Sequence, residues 1–149
     1  MAKQLGYACI NMNLSKEGIS CNRSMIRRTF DAKGVEYASE LIIENIKNLL
    51  KIVHWNNENN IKVYRMSSDM MPWMSEYELS DLPDFQEICA LLKAVGKLAM
   101  DNNQRLSFHP GQFCVLASPN EDVVLNAMNE LNKSAQIMDL MGLPKSRMA

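Results

Sequence analysis

The sequence predicts an α/β fold of parallel βα repeats, forming the first part of a TIM-type (β/α)₈ barrel that is incomplete in this chain. Three apolar segments have strand length, each is followed by an amphipathic helix pattern, and the connections are too long for hairpins. Such crossover connections pair strands in parallel, with right-handed crossovers and helices packed on the sheet. A whole barrel takes about 250 residues, whereas this chain has 149. We therefore expect about three βα units in one domain over residues 1–149, and no second domain.

The first unit opens with residues 5–11 (LGYACIN), a near-continuous apolar run that is typical of a strand covered on both faces. Residues 14–34 are loop-like. Residues 35–60 then carry apolar side chains at spacings of three and four, which predicts a long amphipathic helix. That helix should end in the asparagine-rich segment 56–60, because asparagine is a poor helix former.

The second unit consists of a strand at residues 61–66 (IKVYRM), a methionine-rich loop and a helix at about residues 84–102. The third strand lies in residues 105–113 (RLSFHPGQF), with residues 106–108 as its buried part. The chain then breaks at a His-Pro-Gly turn. This arrangement places His109 at the carboxyl end of the strand, the end at which α/β sheets bind ligands.

The last helix has a clear predicted start and end. Ser118 is the expected N-cap, Pro119 the first helical residue and Glu121 the acidic residue of a capping box. Apolar residues then recur at helical spacing as far as Met141, and Gly142 closes the helix.

Composition favours a reduced, soluble protein of the cytoplasm rather than a secreted one. The four cysteines have no C-x-x-C spacing and form no disulfide framework. No apolar run approaches the roughly 18 residues of a membrane span, and the N-terminus lacks a signal peptide, so we expect no membrane partner. The net charge of −1 gives no global argument for nucleic-acid binding, so any such argument must be local.

Polar residues follow each predicted strand. Asn11, Asp69 and His109 mark the three strand ends, and in parallel units these ends lie at one edge. An imidazole with a nearby carboxylate would suit Mn²⁺, Zn²⁺ or a similar ion, although one His and one Asp do not complete a coordination sphere. Simpler interpretations stay open: His109 as a hydrogen-bonded turn residue, Asp69 and Asn11 as partners of backbone amides, and Trp73 as loop packing.

A local positive charge follows the first strand. Arg23, Arg27, Arg28 and Lys33 stand against Asp31. Such a run is usually a solvated face, but its place on the same side as the strand ends favours phosphate binding.

Four ordered segments resemble the UV damage endonucleases: LGYACIN, NRSM at 22–25, YRMSSDMMPW at 64–73 and RLSFHPGQFCVLASP at 105–119. The resemblance covers essentially the whole chain. The family consists of (β/α) barrels related to apurinic endonucleases and sugar isomerases. Its members use divalent metal ions, typically manganese, to cut the DNA backbone 5′ of ultraviolet photoproducts.

The resemblance implies roles for individual residues. His109 would be a metal ligand, with Mn²⁺ expected and Zn²⁺ or Mg²⁺ as alternatives. Gln112 and Phe113 would lie on a probing loop that wedges into the duplex where damaged bases flip out, and the family often has Tyr at the second position. Tyr7 and Asn11 would line the lesion pocket. The DNA-binding or lesion-binding set is completed by Asp69, which stands where some members have His, and by Arg23 and Arg27.

The family's other metal ligands lie on later strands. We therefore expect this chain to be an inactive N-terminal piece of a longer enzyme, and we assign no catalytic residue to it. Its expected partner is damaged double-stranded DNA, with self-association possible through an exposed sheet edge. Two alternatives stay open. One is another metal-dependent barrel, such as an abasic-site endonuclease or sugar isomerase, and the other is a non-catalytic βα module that self-associates.

Overall fold

The computed structural model describes residues 3–144 and contains three βα units, as predicted. The strands are β1 (Gly6–Ala8), β2 (Val63–Ser67) and β3 (Arg105–His109), parallel and in the order β1-β2-β3. The helices within these residues are α1 (Met12–Ser15), α2 (Arg27–Glu58), α3 (Phe85–Asp101) and α4 (Glu121–Leu140). Short 3₁₀ turns lie between β2 and α3, at Ser68–Met70, Met74–Glu76 and Leu79–Asp81. None of the helices in this part of the chain has the length and apolar character needed to cross a membrane.

The sheet has one packed face and one open face. Tyr7, Tyr64 and Leu106 are aligned across the three strands, and the last two are fully buried against the helices. The opposite face, which we call the open face, carries Arg65 and His109, and both are exposed. Side chains alternate between the two faces of a strand, so this register decides which residues face the helices and which face away from them.

The prediction that residues 5–11 form a strand covered on both faces is wrong. The strand has three residues, and Leu5 just before it is 67% exposed. Cys9 takes a left-handed backbone conformation with φ of +59°, which ends the extended segment. β1 is an edge strand, and the described helices pack on only one face of the sheet. The apolar residues next to β1 are therefore not covered on the second face.

The interpretation of residues 14–34 as a loop is only partly correct. They overlap α1 and also contain the first turns of α2, which begins at Arg27 instead of residue 35. The helical path of α2 is interrupted at Gly34, where φ is +66° and ψ is −158°. Glycine adopts a positive φ readily. Gly34, which the sequence analysis assigned to a loop, therefore joins two helical segments.

The predicted cap of the last helix is also wrong, although its end is confirmed. Asn120 is the N-cap, and its Oδ1 accepts a hydrogen bond of 2.9 Å from the backbone N–H of Asp122. Ser118 instead accepts from the N–H of Asn120 at 3.1 Å. Gly142 follows the helix with φ of +70°, the left-handed closing conformation that was expected there.

Asn45, which is fully buried on α2, fastens two loops to this helix. Its Oδ1 accepts from Arg23 N at 2.9 Å, and its Nδ2 donates to Arg23 O at 2.9 Å and to Met70 O at 3.1 Å. One side chain therefore fixes both the segment after β1 and the segment after β2.

Replacing Asn45 with alanine should lower the free energy of unfolding by roughly 2–4 kcal/mol, because the change removes three hydrogen bonds, one of them buried and two part-buried. Urea denaturation followed by circular dichroism measures this. Asn59→Ala is the control, since the exposed Asn59 side chain bonds only to Trp55 O of its own helix. Equal losses in the two variants would contradict the role of Asn45.

Gly96 on α3 marks the closest approach of α3 to the end of α4. A Cβ at this position would lie 1.8 Å from the backbone oxygen of Met141. Gly96→Ala should therefore destabilise the fold by roughly 1–3 kcal/mol, although the same change in an exposed helix is stabilising. Gly111→Ala is the control, because its Cβ would meet nothing closer than 3.5 Å. A more stable Gly96→Ala variant in thermal unfolding would overturn this packing argument.

Candidate functional site

The carboxyl ends of β2 and β3 lie side by side. Ser67 and His109 are register partners at these ends, and Asp69 follows two residues after the first. His109 is exposed on the open face, and Asp69 is also exposed. The structure thus brings Asp69 and His109 to one edge, as the parallel topology predicted.

The chain forms a tight turn directly after His109-Pro110. The backbone N–H of Cys114 donates to the carbonyl of Gly111 at 3.0 Å, so Gln112 and Phe113 are the two central residues of the turn. Both side chains are exposed, and the Phe113 ring is 82% exposed. Folding therefore leaves a large aromatic ring in solvent beyond the carboxyl end of β3, which apolar burial alone would not favour.

A cleft of about 310 Å³ lies between this turn, the loop after β2 and α4. Of the predicted site residues, Asp69 and Phe113 line it. They are joined by Glu130 of α4, Gly111, Ser68 and residues 24–25 and 71–75. Asp69 and Glu130 are the charged side chains among the described lining residues. Two carboxylates would repel a phosphate group, so the cleft favours a cationic or neutral group.

Trp73 takes part in the packing of the loop after β2, as the simpler interpretation predicted. Its indole N–H donates to Met25 O at 2.9 Å, and its ring stacks on Phe30 at 5.9 Å between centroids. The Arg27 guanidinium lies 5.4 Å from the centroid of Trp73. The residue is held in a left-handed conformation with φ of +57°, and these contacts over-determine that conformation.

Two of the basic residues after β1, Arg23 and Arg27, form ion pairs. Arg23 Nε lies 3.1 Å from Glu44, and Arg27 lies 2.8 Å from Asp31 and 3.2 Å from Glu76. All these side chains are substantially exposed. Exposed ion pairs contribute about 1 kcal/mol or less, so a phosphate could displace the carboxylates at small cost.

Tyr7 and Asn11 lie on the packed side and bond within the protein. Asn11 Nδ2 donates to Tyr7 Oη at 2.8 Å, and Tyr7 Oη donates to Asn56 Oδ1 at 2.7 Å. Asn11 is 5% exposed, and its Oδ1 caps α1 by accepting from the N–H groups of Asn13 and Leu14. The simpler interpretation of Asn11 as a partner of backbone amides is thus confirmed, and the cleft is lined by other residues.

A second buried polar group holds the end of β1. Tyr64 Oη donates to the carbonyl of Cys9 at 2.8 Å and lies 3.3 Å from Cys21 Sγ. Burial raises the pKa of the Cys21 thiol, and likewise that of the half-exposed Cys9. All four cysteines are free, as predicted.

Several residues of the site region were not predicted. The sequence did contain a signal for three of them, because Asn45, Asn48 and Asn56 recur at helical spacing on the buried side of α2. Asn48 Nδ2 donates to Ser20 O at 2.9 Å, so Asn45 and Asn48 hold the loop after β1, whereas Asn56 accepts from Tyr7 within β1. Glu130 carried no local signal, since its contact is to the backbone of a turn nineteen residues earlier.

Two residues of types that bind metal ions, His109 and Asp69, are present at this edge of the sheet, but two are too few for a metal centre. Within residues 3–144 no three His, Cys, Asp or Glu side chains are grouped so as to hold an ion. His109 and Asp69 therefore do not fit a complete metal centre by themselves.

Stability should fall at alkaline pH because of the buried tyrosines. Burial raises the pKa of Tyr64 and Tyr77 above the ordinary value of 10.0. Below pH 10 both states keep these protons, whereas above it only the unfolded chain loses them, so the free energy of unfolding falls as pH rises. Tyr64→Phe should make this fall shallower by about 1.4 kcal/mol per pH unit. Urea unfolding from about pH 8 to about pH 11 measures it, and identical slopes would contradict the assignment.

Comparison with known proteins identifies relatives over the whole chain. The family model described as UV-endonuclease UvdE matches residues 3–149. A UV-damage endonuclease of Schizosaccharomyces pombe is 37% identical over 142 residues, covering 94% of this chain and 23% of that protein. A UV DNA damage endonuclease of a Nostoc species is 28% identical over 149 residues, covering 96% of this chain and 44% of that protein.

The crystal structure of SacUVDE matches with a TM-score of 0.78 and 27% identity, covering 95% of this chain and 47% of that one. The chain thus spans less than half the length of these relatives. The similarity confirms the predicted fold class, parallel βα repeats forming the first part of a TIM-type barrel. On the family match over residues 3–149, this chain belongs to the UV-endonuclease UvdE family.

Proposed function

We propose that the chain serves the repair of ultraviolet-damaged double-stranded DNA, as the damage-recognition part of a UV-damage endonuclease that incises the backbone 5′ of the photoproduct. The observation that carries the proposal is the turn after β3, which holds the 82% exposed ring of Phe113 at the carboxyl edge of the sheet. Family membership supplies the substrate class.

The chemistry of Phe113 and Gln112 suits a wedge. Flipping a base costs a few kcal/mol, and less when photodamage has already weakened its stacking. An aromatic ring that stacks in the vacated space contributes about 1–3 kcal/mol, which is of the same size as that cost. The neighbouring amide of Gln112 can hydrogen-bond an unpaired base.

The charges around the turn suit separate roles. Arg23 and Arg27 stand on the segment after β1 in exposed ion pairs, from which they would exchange their carboxylates for phosphates. The cleft beside Phe113 is lined by Asp69 and Glu130 and would take a neutral or cationic group instead. Tyr7 and Asn11 would act indirectly, by fixing the end of β1 and the start of α1.

For incision we propose a divalent ion, Mn²⁺ before Zn²⁺ or Mg²⁺, with His109 as one ligand. Such an ion supplies an activated water and neutralises charge on the leaving oxygen. Since His109 and Asp69 do not form a complete centre, the remaining ligands would come from elsewhere. We therefore expect the 149-residue chain alone not to cut DNA.

Binding of an irradiated duplex, measured by fluorescence anisotropy at fixed salt, tests the proposal. Wild type should prefer the irradiated duplex over the same duplex without irradiation. Phe113→Ala should weaken binding of the irradiated duplex by roughly 5- to 30-fold, the equivalent of about 1–2 kcal/mol of lost stacking. Leu116→Ala is the matched control, since it also removes an exposed apolar side chain, 55% exposed, just beyond the turn.

Equal affinity of wild type for the two duplexes would refute damage recognition. Incision of the irradiated duplex after addition of Mn²⁺ would refute the expectation that this chain is insufficient. Equal preference for an abasic duplex would favour the abasic-site endonuclease alternative.

Association of copies is a second candidate, favoured by the open face and by the edge position of β1. A concentration-dependent dimer in sedimentation, without any preference for damaged DNA, would support this alternative.

A further inference from the structure

We propose that Glu130 and Cys114 are positioning residues that mount the turn at residues 111–114 on α4 and so set the direction in which Phe113 projects. The inference rests on the proposed function for its consequence in DNA recognition, but the contacts themselves can be tested without DNA.

The first attachment joins the start of the turn to α4. The backbone N–H of Gly111 donates to Glu130 Oε1 at 3.2 Å. Glu130 is half-buried, and it lines two grooves that Phe113 also lines. A hydrogen bond from a backbone amide to a carboxylate is stronger than one to a neutral acceptor. Glu130 therefore fixes the residue that directly precedes Gln112.

The second attachment joins the end of the turn to the same helix. Cys114 Sγ donates to the carbonyl of Ala127 at 3.7 Å, a weak bond, while its backbone N–H closes the turn onto Gly111 O at 3.0 Å. Burial raises the pKa of the Cys114 thiol, and the nearby Glu130 carboxylate raises it further, so the thiol keeps the proton that it donates. Ala127 and Glu130 are three residues apart and thus neighbours on one face of α4.

The two attachments restrain the turn while leaving its tip free. Gln112 and Phe113 project into solvent, whereas Gly111 and Cys114 on either side of them are held by α4. A turn that already has the binding orientation loses less conformational freedom when it enters DNA. Without Glu130 the turn should sample other orientations, and apparent affinity should fall with the fraction of molecules in the competent one.

The test compares Glu130→Ala with Glu130→Gln, whose amide oxygen can still accept from Gly111. Glu130→Ala should weaken binding of the irradiated duplex by roughly three- to tenfold, as expected for the loss of one such hydrogen bond, and should change binding of the unirradiated duplex no more than Asp139→Ala does, because each variant removes one carboxylate. Glu130→Gln should lie between wild type and Glu130→Ala, because its neutral amide oxygen accepts a weaker hydrogen bond. Asp139→Ala is the control for charge, because it removes one exposed carboxylate from the same helix away from the turn.

A measurement without DNA reports on the attachment itself. The Gly111 amide proton, followed by NMR hydrogen exchange, should exchange several-fold faster in Glu130→Ala than in wild type, with Glu130→Gln between the two. Urea unfolding of the same variants identifies any global loss of stability, in which case Glu130→Gln decides the comparison.

The outcomes separate the two proposals. If Gly111 exchange is the same in wild type and Glu130→Ala, the inference is overturned whatever the DNA results are. If Phe113→Ala weakens binding of the irradiated duplex but Glu130→Ala does not, positioning by Glu130 is overturned while the proposed function stands. If Phe113→Ala has no effect and Gly111 exchange responds to Glu130, the proposed function fails but the attachment of the turn is supported.

Discussion

The hydrogen bonding of the buried Asn45 amide is the constraint on which the geometry of the site depends. An amide buried without partners would cost several kcal/mol, so its three hydrogen bonds compel Arg23 and Met70 to meet at one turn of α2. The loops after β1 and β2 contain only α1 and short 3₁₀ turns as regular structure, so side-chain hydrogen bonds such as those of Asn45 and Asn48 hold them. Because both are tied to one helix, the cleft between them and α4 has fixed walls.

The one-sided packing of the sheet decides which residues are available for chemistry. The aromatic rings of Tyr7 and Tyr64 lie on the packed side, with centroids 5.0 Å apart, and their hydroxyls are used in internal hydrogen bonds. Arg65 and His109 lie on the open face and stay exposed. Together with Phe113 beyond the end of β3, they give this edge cationic, imidazole and aromatic groups that do not contribute to the core.

Most of the fold could be predicted because it rests on periodicity. Apolar spacing located the three strands and the long helices, and crossover length dictated parallel pairing. The errors fell where local residues have more than one use. Ser118 and Asn120 are both good caps, and the structure uses the second. Gly34 predicts a break in the chain, yet helical segments lie on both sides of it, because residues 27–33 pack beside Trp73.

The sequence by itself determined that Asp69 and His109 lie at strand ends on one edge, because the length of the crossovers dictates parallel pairing. It also determined that Gln112 and Phe113 follow a break, because the His-Pro-Gly segment interrupts the strand locally. Only the tertiary structure decided that Tyr7 and Asn11 bond inward, that Arg23 and Arg27 are paired with carboxylates, and that Glu130 holds the turn. Asn11–Tyr7 and Arg27–Asp31 pair within four residues, but the contacts of Tyr7 with Asn56, of Arg23 with Glu44 and of Gly111 with Glu130 join residues at least nineteen apart in the chain. Their formation depends on the distance between packed elements, which no local pattern encodes.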